Sequence, residues 1–179
     1  MSHFPVPTRD QVTPENQAIF DNLKKMLSFV PNLYATFANS ATALGTYLSL
    51  QNAKTSLSAR EREVVNLVVS QVNDCEYCLA AHTVLGKMVG FTEAQVLELR
   101  SGHASFDPRL DALARFVREV AEKRGHVAAA QTETFLAAGY TKGNVVDVIM
   151  AIGDKIISNY LHGVTRVPVD FPAATRLAA

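Results

Sequence analysis

Helix starts and stops recur along the whole chain, and no segment alternates apolar and polar residues as a half-buried strand would. Thr13-Pro14 sets a capping hydroxyl before a proline, whose missing N–H costs nothing at the first helical position. Ile19, Phe20, Leu23, Met26 and Leu27 follow at helical spacing. After Pro31, an alanine-rich stretch over about 32–53 reads as one short and one longer helix. Ser58-Ala59-Arg60-Glu61 is a capping box, and Val64, Val65, Val68 and Val72 line one side of the helix it opens. Valine suits a buried strand equally well, but the capping box and charged opening turn decide for helix. Asn73-Asp74 breaks the pattern, and Asn73 with Glu76 is expected to cap the next helix, which ends at Gly90. Asp107-Pro108 opens another, with Leu110, Leu113, Phe116, Val117 and Val120 inward and Gly125 as its stop. A shorter helix ends at Gly139, and a long one runs from Thr141 to near Gly163. Beyond Val164, the prolines at 168 and 172 force an extended arm. The expected fold is all-α: a single-domain helical bundle over residues 1–179 with extended N- and C-terminal arms. Gly90-Phe91-Thr92 and Gly139-Tyr140-Thr141 echo one another, either as two Gly-stop, Thr-start junctions or as a duplicated helical hairpin.

At 179 residues and 48% hydrophobic, the chain can bury one substantial core. Seventeen basic residues balance seventeen acidic ones, and there is no basic run. Nucleic acid and anionic membrane surfaces are therefore not expected partners. No apolar run approaches the roughly 20 residues of a membrane span. Met1-Ser2-His3-Phe4-Pro5 leads into polar, proline-spaced sequence unlike a secretory leader, so a cytoplasmic location is expected.

The only two cysteines form Cys75-Glu76-Tyr77-Cys78, with His82 four residues on. On a helix, positions 75, 78 and 82 share a face. The i, i+3 spacing puts Cα atoms roughly 5 Å apart, inside the window of a disulfide, so the pair can cycle between dithiol and disulfide. In a reducing compartment a lone C-x-x-C points to redox chemistry or metal before a structural staple. Only the thiolate reacts, and an ordinary thiol is a few per cent ionised at pH 7. A helix N-terminus favours the Cys75 thiolate, whereas His82 as a proton acceptor favours Cys78. If the chain reverses at Asn73-Asp74, Glu63 comes level with His82 across the hairpin, giving a relay from Glu63 through His82 to Cys78. Zinc has three candidate ligands in Cys75, Cys78 and His82 but lacks a fourth, and a chemically inert disulfide is as frequent an outcome. Taken alone, Glu63 reads as a solvated first-turn residue and Tyr77 as packing. His3, His103 and His126 read as surface residues, and His162 as a capping or packing residue.

Glu63 followed by Cys75-x-x-Cys78-x-x-x-His82 resembles the signature of the alkylhydroperoxidase D-like branch of the carboxymuconolactone decarboxylase superfamily. Val30-Pro31-Asn32-Leu33-Tyr34, Asn159-Tyr160, Pro168 and Asp170 are similar to its peroxidase-related members, so the resemblance spans about residues 30–172. It implies an all-α fold, a homo-oligomer (trimers and hexamers are typical) and thiol peroxidase activity without flavin, haem or metal cofactor. By position it makes Cys78 the peroxidatic cysteine, Cys75 the resolving one, and His82 with Glu63 the proton relay. The partners it implies are a peroxide substrate and an external dithiol or thiol-protein reductant. The chain departs from the best-known pattern at Tyr77, where a histidine usually stands between the cysteines. The rival functions are a general disulfide oxidoreductase, a non-catalytic redox sensor and a zinc-stabilised module.

Overall fold

The computed structural model describes residues 4–177, so the reading of His3 lies outside the described residues. Among them the secondary structure is helical throughout, with no strand. After a short 3-10 turn at Arg9–Gln11, the helices are α1 Pro14–Leu27, α2 Asn32–Phe37, α3 Ala43–Gln51, α4 Ala59–Val72 and α5 Glu76–Met88. The remainder are α6 Glu93–Arg100, α7 Pro108–Glu122, α8 Ala129–Ala137 and α9 Lys142–Thr165.

The starts follow the expected chemistry. Thr13, Ser58, Asp107 and Thr141 each cap the following helix with a side-chain oxygen. Gly90 and Gly139 take the left-handed backbone that ends a helix cheaply, and Thr92 and Thr141 restart the chain with capping boxes. Two expectations are corrected. Asn73 ends α4 rather than starting α5; the N-cap of α5 is Cys75, whose sulfur accepts from the Cys78 N–H at 3.3 Å. Left-handed Asp74 makes the turn and moves the cap two residues on, from Asn73 to Cys75. The last helix also passes Gly163 and closes at Thr165, with Arg166 left-handed before the extended arm.

Valine-rich α4 is the hub, packing against α5, α6, α7 and α9. Val64, Val65, Leu67, Val68 and Val69 are fully enclosed with Leu99, Leu113, Val117, Phe135 and Val148. α4 is buried on most sides, with polar Glu61, Glu63, Asn66 and Ser70 enclosed beside its valines by the four neighbours. Leu67→Ala is expected to cost about 2–5 kcal/mol, since the surrounding helices cannot collapse into the cavity; urea unfolding measures it. A second core joins Phe20, Leu33, Phe37, Leu44 and Tyr47 of α1–α3 to Cys75, Tyr77 and Cys78.

The C-terminal arm joins the start of α2 to the start of α5 within the second core. Asp170 accepts from the Asn32 N–H at 2.7 Å and from the Tyr77 hydroxyl at 2.5 Å, and Val167 is buried beneath it. No single helix among the described residues is long and apolar enough to cross a membrane. α9 leaves Val146, Met150, Ile157, Tyr160 and Val164 exposed along one stripe.

Candidate active site

Cys75 and Cys78 are joined as a disulfide, with Cα atoms 5.3 Å apart, and no cysteine among the described residues is free. Both are buried, but they are not equivalent. Cys78 lines a pocket of about 440 Å³ and Cys75 does not. The pocket walls are apolar and aromatic, including Phe29, Leu33, Tyr34, Tyr47 and Phe171. Its polar side carries Glu63, His82, Asp154 and Lys155.

The turn at Asn73-Asp74 folds α5 back along α4, and Glu63 meets His82 directly, Oε2 to Nδ1 at 2.8 Å. Glu63 is 8% exposed, so it is not a solvated first-turn residue. Its other oxygen accepts from the Asn66 amide at 2.9 Å. Burial alone would raise this carboxyl, but the charge and hydrogen bond of His82, with Asn66 and Lys155, bring it below its ordinary value. His82 Nε2 faces Lys155 Nζ at 2.7 Å. Burial first, and the Lys155 charge second, push the imidazole below its ordinary value despite Glu63. Both ring nitrogens are thus engaged, one on each side, and the edge expected to face Cys78 is held by Lys155.

The direction of these shifts sets the response to acid. Unfolded His82 takes up a proton near pH 6.5 while the folded imidazole resists it, so stability falls as pH drops through that region. Glu63 acts in the same sense lower down, because its carboxylate contribution is complete above about pH 4.3 and lost below. Urea midpoints should therefore fall from pH 7.5 to pH 5, and the fall above pH 5 should be shallower in His82→Gln.

The remaining residues fall into place around this core. The Tyr77 hydroxyl donates to Asp170 and accepts from the Leu33 N–H at 3.3 Å. Burial, then Asp170, holds its phenol well above the ordinary value, so it stays protonated and cannot act as a base. His162 packs against the Tyr77 ring and donates to the Val167 carbonyl. His103 and His126 are exposed. Lys155 escaped the sequence reading although a signal existed: Val148, Ile152, Lys155 and Asn159 share the buried face of α9.

Residues 35–122 match the model of the carboxymuconolactone decarboxylase family, a segment holding Glu63, both cysteines and His82. That segment is carboxymuconolactone decarboxylase family sequence. None of the curated proteins matches this chain. The fold is similar to an alkylhydroperoxidase core, an uncharacterized peroxidase-related protein of Ralstonia eutropha JMP134. There the TM-score is 0.85 at 20% identity, over 94% of this chain and 92% of that one. A peroxidase-related protein of Silicibacter sp. TM1040 gives 0.80 at 22% identity, over 92% and 88%. The debrominase Bmp8, solved in complex with 2,3,4-tribromopyrrole, gives 0.77 at 11% identity, over 95% and 92%. Carboxymuconolactone decarboxylase-type helices therefore frame a redox-capable cysteine pair at the edge of an apolar pocket.

Proposed function

We propose that the chain is a thiol-dependent peroxidase acting on hydrogen peroxide or organic hydroperoxides, with Cys78 attacking and Cys75 resolving. The observation that carries this is the asymmetry of the pair: Cys78 lines the pocket beside His82 and Glu63, while Cys75 sits behind it at the helix N-cap. In the reduced protein the Cys78 thiolate attacks the terminal peroxide oxygen, the O–O bond breaks, and water or alcohol leaves. The sulfenic acid then condenses with the Cys75 thiol to the disulfide seen here, releasing water. An external dithiol exchanges through a mixed disulfide and restores both thiols.

Burial of both sulfurs weighs against a protein disulfide as substrate, which would need to bring its own sulfurs to an exposed thiol. It favours a slim dithiol as the reductant for the same reason. A cycle that must be reset by thiols suits a cytoplasmic, reducing compartment. The exposed stripe of α9 supports a homo-oligomer, a trimer or hexamer on the family resemblance, which sedimentation would count. The function is tested by turnover of cumene hydroperoxide with dithiothreitol or dihydrolipoamide. Sustained alcohol production supports it; oxidation of the two thiols without further turnover would leave only a sensor.

A further inference from the structure

Lys155 is a charged pocket residue for which the peroxidase reading has no task. It is 2% exposed in the middle of α9, where an ammonium loses its hydration and needs partners. Its Nζ contacts His82 Nε2 at 2.7 Å, and it lines the same pocket as Cys78. A neutral imidazole carries one N–H and one lone pair. With a carboxylate at Nδ1 the N–H belongs there, so Nε2 accepts from Lys155. The ring then has no free lone pair for the Cys78 proton, whereas a neutral lysine amine keeps its own while donating to His82.

We propose that Lys155 exchanges protons with Cys78 and with the departing peroxide oxygen, and that Glu63 and His82 hold it in place. The second half rests on the peroxidase reading; the first does not. The Lys155 amine takes the thiol proton and becomes an ammonium. The Cys78 thiolate then forms an S–O bond to the terminal peroxide oxygen as the O–O bond breaks. The electron pair leaves on the alkoxide, which takes the proton from Lys155. Sulfur is oxidised to the sulfenic acid, the peroxide is reduced to alcohol, and the amine is regenerated. Lys155 meets His82 of α5, the charges acting on it are Glu63 and Arg62 on α4 and Asp154 on α9, and Tyr34 and Tyr47 line the same pocket. Burial lowers the ammonium below its ordinary value, with Asp154 and Glu63 opposing and Arg62 adding.

The test is alkylation of the reduced protein with iodoacetamide across pH 5–10, in wild type, Lys155→Met and His82→Gln, with the labelled cysteine read by mass spectrometry. Alkylation needs no peroxide, so it reports thiolate formation independently of turnover. Lys155→Met should move the Cys78 midpoint up toward the ordinary thiol value of about 8.5 and slow alkylation at pH 7 by ~10-fold or more, with a smaller shift in His82→Gln. A Lys155→Met profile superimposed on wild type overturns the proposal, as does a larger shift in His82→Gln. If Lys155→Met does not fold, the lysine side-chain NMR signal of the reduced wild type decides. Protonation of Lys155 in step with Cys78 ionisation supports the proposal, and a lysine charged at every pH contradicts it. Wild type that alkylates as expected but leaves cumene hydroperoxide intact keeps the proton exchange and removes the peroxidase reading.

Discussion

Glu63→Gln is expected to lower kcat/KM for cumene hydroperoxide by about a hundredfold, the lower end of what a positioned acid–base system contributes. The substitution keeps the shape of the side chain and removes its charge. Glu63 Oε2 is the partner of His82 Nδ1 at 2.8 Å, and its carboxylate requires the N–H to be on that nitrogen. An amide can present either its oxygen or its nitrogen there, so the ring is no longer confined to one tautomer or one orientation. His82 Nε2 and Lys155 then lose their register with Cys78. Because the effect is on the base rather than on substrate contacts, it should fall on kcat/KM through the rate of thiol oxidation and leave the pocket walls unchanged. Steady-state assays with the reductant in excess measure it, and circular dichroism checks that the helices persist.

Substituting the cysteines should have the largest effect, and the two variants should stop at different points. Cys78→Ser should fall to the uncatalysed background, because an alcohol in place of a thiolate is a very poor nucleophile toward peroxide oxygen. Cys75→Ser should lose steady-state turnover but still consume one equivalent of peroxide, leaving a sulfenic acid on Cys78 that dimedone traps. The asymmetry follows from placement: the pocket reaches Cys78, while the Cys75 sulfur serves as the N-cap of α5 and does not line the pocket. Sulfenic acid on Cys75 in the Cys78→Ser variant would reverse the roles.

What could be read in advance was local. The capping box at Ser58 outweighed four valines and gave α4 as a helix, because one reciprocal pair of hydrogen bonds fixes where a helix starts. The Glu63–His82 contact could be foreseen because a tight hairpin carries register over a single turn. The cap of α5 was misplaced by two residues, since Asn73 is by type a better N-cap than a cysteine. The left-handed backbone of Asp74 decided otherwise. Lys155 lies 73 positions from His82, and Asp170 lies 93 from Tyr77. Which buried polar residue of α9, or which carboxylate of the arm, meets the cysteine helix depends on how α9 returns across α4. No local pattern contains that information.

In the proposed cycle one peroxide molecule is reduced at the expense of the Cys75–Cys78 pair. Fully reduced protein, mixed with one equivalent of cumene hydroperoxide and no other thiol, tests it in a single turnover. The expected result is one equivalent of 2-phenyl-2-propanol, loss of both titratable thiols, and the Cys75–Cys78 disulfide found here as the product. Both thiols still titratable with the peroxide unconsumed would contradict it.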